Sequence, residues 1–231
     1  MKTLAFIPAR AGSKSIQGKN TAMLYGRPLI LWTLKKCLES SHIDDVVVST
    51  NCPLVKDVCR NISDVTIDNR PEHLCTDDSP VADALHEYLS REGTDDYDVI
   101  MLAQPTSPFI RYIDIHKVAI MMENTYFNTA QTVTEVPHNM HALNQRVITG
   151  GSCTFTHPDI RKGMYNKQLK DTRYKFGNLV AVRRNTFMKS RDFWETPSAP
   201  IKIGQPYDMD IDTMYDLTIA NLIAKNLYLE E

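Results

Sequence analysis

Apolar positions along the chain fall into short continuous runs that alternate with stretches of helical periodicity. Leu4-Ala5-Phe6-Ile7 reads as a buried strand that Pro8 ends. Ile30, Leu34, Cys37 and Leu38 form one stripe of a helix beginning near Pro28. The β-branched run Val46-Val47-Val48 marks a second strand over 45–50, continuous as a strand covered on both faces must be. A helix over 53–61 and a short strand at Val65-Thr66-Ile67 follow. The spacing then predicts a helix over 79–91 with Val81, Leu85, Tyr88 and Leu89 inward, a strand over 97–102, a helix over 114–123 and a strand over 129–136. Residues 137–175 break the rhythm: they are polar, carry Gly150-Gly151 and Gly163, and lack a helical stripe, so they read as a hairpin-rich insertion. Strands return at 176–183 and 201–203. A terminal helix over 214–228 points Leu217, Ala220, Ile223, Ala224 and Leu227 inward. Such alternation predicts an α/β fold around a mostly parallel sheet, one domain over residues 1–231 with an inserted arm at about 137–175.

Composition narrows the class. With 231 residues, 42% hydrophobic and 23% charged, the chain is neither disordered nor fibrous. No apolar run approaches the roughly 18 residues a bilayer helix needs, and Pro8 and Arg10 interrupt the first apolar segment before it could serve as a secretion signal. A cytoplasmic protein without a membrane partner is expected. The five cysteines, at 37, 52, 59, 75 and 153, are odd in number and include no C-x-x-C pair, which excludes a disulfide framework or zinc ribbon and predicts mostly buried thiols. The methionines read as core filler.

Net charge is −2, which argues against a nucleic-acid partner. Its distribution is uneven. Residues 1–38 hold seven cations and no carboxylate, leaving 19 cations against all 28 acids in the remainder. Lys35 and Lys36 fall on the first helix and read as a solvated face, whereas Arg10, Lys14 and Lys19 share one loop with Gly12 and Gly18. That loop offers backbone N–H groups, close approach and three cations to a polyphosphate. It is not a Walker A motif, because five residues separate its glycines and Asn20 stands where Ser or Thr would hold magnesium, and it lacks the G-x-G-x-x-G fingerprint.

Near the other end lies Asp208-Met209-Asp210-Ile211-Asp212-Thr213. On an extended segment the three carboxylates share one side, a donor set for a hard divalent cation that needs only two of them. The same residues can instead begin the last helix, with Asp212 or Thr213 as cap and Asp216 closing a capping box from Thr213. His138-x-x-His141 and the Cys153, His157 pair have loose metal-like spacing but too few ligands, and a structural role is expected for them.

The run Ile7-Pro8-Ala9-Arg10-Ala11-Gly12-Ser13-Lys14, with Gly18-Lys19-Asn20, Asn69-Arg70-Pro71 followed by Leu74 and Asp77, Gln104-Pro105-Thr106-Ser107-Pro108, and Asp210-Ile211-Asp212-Thr213, resembles the acylneuraminate cytidylyltransferases. These are the CMP-sialic acid synthetases and their relatives that activate Kdo, legionaminic and pseudaminic acids. The motifs stand in the family's order across nearly the whole chain. The resemblance implies a Rossmann-like nucleotidyltransferase domain with a dimerising insertion, hence a homodimer. It implies attack of a 2-keto-3-deoxy sugar acid on the α-phosphate of CTP, giving a CMP-sugar and pyrophosphate. On this resemblance Arg10, Ala11, Gly12, Ser13, Lys19, Asn20, Arg70 and Asp77 meet the nucleotide. Gln104, Thr106, Ser107 and Asn178 meet the sugar acid, Asp210 and Asp212 hold magnesium, which manganese can replace, and Arg10 and Lys19 act with that pair in catalysis.

Two departures from the family stand out. Phe109-Ile110 precede Arg111 where Leu-Arg is common, and Gly177-Asn178 reverses the usual Asn-Gly order at the sugar pocket. Alternatives are the same fold with another acceptor or base, or a nucleotide-binding subunit without turnover. A Rossmann dehydrogenase lacks its glycine fingerprint here. A phosphatase would carry its Asp-x-Asp after an early strand rather than near the end.

Overall fold

The computed structural model describes residues 1–227. In chain order the elements are β1 (Thr3–Pro8), β2 (Met23–Leu24), β3 (Arg27–Pro28), α1 (Leu29–Leu38), β4 (Asp45–Thr50), α2 (Pro53–Cys59), β5 (Val65–Asn69), α3 (Val81–Leu89), β6 (Val99–Ala103), α4 (Tyr112–Glu123), β7 (Thr129–Glu135), β8 (Arg146–Thr149), β9 (Ser152–Phe155), α5 (Pro158–Arg161), β10 (Tyr174–Arg183), α6 (Arg184–Ser190), β11 (Ser198–Lys202) and α7 (Met214–Leu227). Every expected helix and strand is present with ends shifted by a few residues; Tyr228, placed in the last helix by its periodicity, lies outside the described residues.

Seven strands form one sheet in the order β11-β7-β10-β6-β1-β4-β5. All run parallel except β10, which lies antiparallel between β6 and β7. Alternate residues of the buried strands feed two cores, as pleating requires. Ala5 and Ile7 pack with Ile30 and Leu34 of α1 and Ile115 and Val118 of α4. Leu4 and Phe6 pack with Leu85 and Leu89 of α3 and Phe187 of α6. Each buried Val, Leu, Ile or Phe among them contributes about 1.5–3 kcal/mol.

From β1 the chain moves outward through β4 to β5, then returns to the other side of β1 as β6. The order therefore reverses at the β1/β6 boundary, and a crevice opens outside the carboxyl ends of those strands, where open α/β sheets bind ligands.

A third apolar cluster explains why distant segments meet there. Ile16 of the basic loop, Trp32 of α1, Phe109, Ile211 and Leu217, Ala220 and Ala224 of α7 are buried together. Ile211 lies between the two candidate metal aspartates, so burying it fixes both near the loop that Ile16 anchors.

Two compositional expectations are corrected. Cys37 and Cys59 are buried, and burial pushes their thiols up to about 12 and about 11, but Cys52 and Cys75 are half-buried and Cys153 is exposed. Met101 and Met122 do fill the core, whereas Met1, Met23, Met140 and Met214 face solvent. The insertion contains the hairpin β8–β9 and the single turn α5. His141 in it is buried, accepting from the Leu143 N–H and lying 3.2 Å from the Asp171 carbonyl, so its ring serves the local fold.

Candidate active site

A cleft of about 400 Å³ opens at the β1/β6 boundary. Its walls are Arg10, Ser13, Lys14, Lys19 and Asn20 from the loop after β1, Arg70, Asp77 and Ser79 from the connection after β5, and Gln104 and Thr106 after β6. Gly12 and Gly18 have φ of +84° and +61°, so the two bends of the basic loop sit where residues with a side chain are strained. The second bend leads into a 3₁₀ turn, Lys19–Thr21. The loop is tied down by its own polar groups: the Ala11 N–H donates to Asn51 Oδ1 at 2.8 Å, and Asn20 Nδ2 donates to the Arg10 carbonyl at 3.1 Å.

Four cations among the described residues line the cleft. Arg70 is almost fully buried, donating from Nε to Ser49 Oγ at 3.1 Å and from Nη2 to the Ser49 carbonyl at 3.0 Å. Ser49 Oγ in turn donates to the buried Asp68 at 2.6 Å, and Asp68 accepts from Arg91 at 2.7 Å. This relay holds Arg70 rigid, and burial lowers its pKa from the usual arginine value. Arg10 Nη2 pairs with Asp77 Oδ1 at 2.8 Å, and Lys14 pairs with the other oxygen of the same carboxylate. Those two hydrogen bonds, Lys14 first, hold Asp77 below the usual carboxylate range.

The amino-terminal loop and the carboxyl-terminal acids meet directly. Lys19, mostly buried, places Nζ 3.0 Å from Asp212 Oδ1. The Thr106 carbonyl accepts from the Ile211 N–H at 2.8 Å, and the Thr106 side chain hydrogen-bonds Asp210. Asp210 keeps contact with solvent, yet the protein around it withdraws enough water to raise its pKa, with the Thr106 hydrogen bond opposing and Asp212 adding to the rise.

The helix cap belongs to other residues. Asp216 accepts from the Asp212 and Thr213 N–H groups and from Thr213 Oγ1, while its own N–H donates to Thr213 Oγ1. Asp212 is thereby left with Lys19 alone among the described side chains. Asp208 does not join the pair: the chain turns at 205–208, breaking the alternation, and Asp208 is buried against Lys175 at 3.1 Å.

Two of the expected sugar-contacting residues are elsewhere. Ser107 is buried behind its loop, where its carbonyl accepts from Thr33 Oγ1. Asn178 is fully buried on β10; its Oδ1 accepts from Thr132 Oγ1 at 2.9 Å and its Nδ2 donates to the Tyr207 carbonyl at 2.8 Å. Arg111 grips the buried Asp114 through two hydrogen bonds at the start of α4 and lies 3.8 Å over the Tyr207 ring. Asn51, Ser49 and Ser79 carry no motif signal; position at the exit of β4 could have pointed to Ser49 and Asn51, whereas Ser79 stands at the entry of α3, where nothing in the sequence marks it.

A family model for cytidylyltransferases matches residues 4–163. The chain belongs to that family. This cytidylyltransferase is 31% identical to a CMP-N,N'-diacetyllegionaminic acid synthase of Legionella pneumophila, over 97% of each chain. It is 26% identical to N-acylneuraminate cytidylyltransferases of Streptococcus agalactiae and Escherichia coli, over 94% and 97% of its own length, and spans 52% of each of them. A solved structure of a CMP:2-keto-3-deoxy-manno-octonic acid synthetase complexed with CTP superposes with a TM-score of 0.73 at 17% identity, covering 98% of this chain and 100% of that one. A 4-diphosphocytidyl-2C-methyl-D-erythritol synthase of Anaerococcus prevotii superposes at 0.67 and 13% identity, covering 97% and 98%. These two likenesses establish the shared fold of the cytidylyltransferase.

Proposed function

We propose that this cytidylyltransferase joins CTP to the anomeric hydroxyl of a sialic-acid-like 2-keto-3-deoxy sugar acid, with magnesium, over one nucleotidyltransferase domain of residues 1–231. The observation that carries the reading is the Lys19–Asp212 contact, which closes a cationic cleft against an aspartate pair. Family membership and the activities of the relatives support cytidine triphosphate and the sugar-acid class.

The chemistry follows from charge. The hydroxyl oxygen forms a bond to the α-phosphorus while the α,β-bridging P–O bond breaks; the hydroxyl proton leaves to solvent and pyrophosphate departs. Such a displacement is mainly positioning and charge neutralisation. Arg10, Lys14 and Lys19 offer donors to the phosphates and to the pyrophosphate as charge gathers on it. Arg70 supplies a fixed cation deeper in the cleft, and Gln104 and Thr106 offer neutral polar groups to the acceptor.

Asp210 and Asp212 fit a magnesium ion in chemistry: two hard oxygen donors, one of them already holding a cation, Lys19 Nζ. Among the described residues no set of three His, Cys, Asp or Glu side chains could hold a metal, and magnesium needs only one or two protein carboxylates when phosphates and water complete its shell. When bound there, the ion supplies neutralisation of α-phosphate oxygens and acidification of the attacking hydroxyl. Pyrophosphate release from CTP with a panel of nonulosonic and octulosonic acids tests the reading. Release is expected with at least one acceptor in magnesium or manganese and is expected to stop with excess chelator; silence across the panel would discard it.

Residues 137–175 act, on this reading, as an arm for a second copy of the chain. The arm exposes Ile148, Ile160, Tyr165 and Leu169, each more than half accessible, an apolar surface suited to burial against a partner. Sedimentation equilibrium should return twice the chain mass of 26.3 kDa; a single-chain mass at micromolar concentration removes the homodimer.

A further inference from the structure

Among the described residues that wall the cleft, Arg10, Lys14, Lys19 and Arg70 are cations and Asp77 is the one acid; Asp212 meets Lys19 at the edge and is not part of the wall. A carboxylate in a polyphosphate cleft repels the ligand, so its presence calls for a physical account. Asp77 spends both oxygens on the cleft's own cations: Oδ1 on Arg10 Nη2 and Oδ2 on Lys14 Nζ. Those atoms are the charge-assisted donors that a phosphate chain would recruit.

The two cations differ in what holds them otherwise. Arg10 Nη1 also donates to the Ala11 and Cys75 carbonyls, at 3.3 and 3.4 Å, so the guanidinium stays in place without Asp77. Lys14 is 83% exposed, and Asp77 is its only ion-pair partner among the described residues. A phosphate entering the cleft therefore competes with Asp77 for the same donors and must displace it to gain them.

We propose that Asp77 is an internal competitor for polyphosphate, holding Arg10 and Lys14 when no nucleotide is bound, yielding them to the triphosphate, and reclaiming them as pyrophosphate leaves. The inference rests on the proposed cytidylyl transfer. It makes Asp77 a residue that weakens anion retention, the opposite of a nucleotide ligand. The benefit falls on the product side: four cations that bind a triphosphate well also hold pyrophosphate well, and a competing carboxylate speeds its escape.

Calorimetric titration of the full chain with inorganic pyrophosphate, without acceptor, tests this. Asp77→Asn is expected to bind pyrophosphate about five- to tenfold tighter than wild type, the scale of two partly exposed ion pairs. The gain is expected to shrink to less than half in a Lys14→Ala background, because coupling runs through that ammonium. In turnover, Asp77→Asn should lower KM for CTP and kcat together as release slows, a split that loss of local structure would not give. Equal or weaker pyrophosphate binding by Asp77→Asn, with wild type binding normally, overturns the competitor role and makes Asp77 a positioning residue. Failure of wild type to bind either pyrophosphate or CTP overturns the function itself, and this inference with it. Where thermal melting shows that the amide variant does not fold, Asp77→Ser takes its place in the titration, with tighter binding expected and equal or weaker binding again overturning the role.

Discussion

Asp212→Asn is expected to lower kcat by on the order of 10²-fold, the cost of losing a preorganised charge contact in the transition state, while lowering the melting temperature by no more than about 4 °C. The reasoning joins two observations. The α7 cap is made by Thr213 and Asp216, which supply its four hydrogen bonds, so the Asp212 side chain carries none of the helix's stability. That side chain is mostly exposed, and its pairing with Lys19 contributes at most about 1 kcal/mol to folding. The amide keeps the shape and loses the charge. Steady-state kinetics beside a thermal melt checks both halves; normal turnover in Asp212→Asn would remove this aspartate from the chemistry.

Asn178→Ala should behave in the opposite way, costing stability before activity. Thr132 Oγ1 accepts from the Asn178 and Leu179 N–H groups, and the Asn178 side chain meets Thr132 and the Tyr207 carbonyl in a region without solvent. Each buried group left unsatisfied costs about 1–3 kcal/mol, which in a chain of this size lowers the melting temperature by roughly 2–4 °C per kcal/mol. With CTP saturating, KM for the sugar acid is expected to stay within about threefold of wild type, because only interactions with the bound acceptor would raise it. A tenfold rise in that KM with an unchanged melt would return Asn178 to the substrate pocket.

Asn178 also shows where reading from sequence stops. Periodicity found the elements because buried strands such as Val46-Val47-Val48 and amphipathic helices such as α3 advertise their environment through apolar side chains. The same rule cut β5 short: its last residues are Asp68 and Asn69, and Asp68 is buried with Ser49 and Arg91 for partners, so the apolar signal ends at Ile67 while the strand continues to Asn69. The connection that follows brings Arg70, Asp77 and Ser79 into the cleft; the first two are visible through family motifs, and Ser79 through neither motif nor pattern.

The β10 bulge is a second case. Register shifts between Phe176 and Val180, and a Cβ on Gly177 would stand 2.7 Å from both Ile203 Cδ1 and Thr132 Oγ1. Packing there dictates a glycine and turns the next side chain, Asn178, inward. A motif comparison sees only two letters in reversed order. Asp208 repeats the lesson, since alternation holds for an extended chain and the turn at 205–208 withdraws that carboxylate toward Lys175.

The reversed direction of β10 has a consequence for how such a protein can vary. Because β7 ends and β10 begins at the same rim of the sheet, with the Val136 N–H donating to the Arg173 carbonyl at 2.8 Å, the residues between these two must leave and re-enter the body of the molecule at the rim formed by the carboxyl end of β7. Length and composition there can change without disturbing a single ladder bond of the seven strands. Grafting the corresponding stretch from a relative would exchange this part of the rim while the seven-stranded sheet beneath it stays as it is.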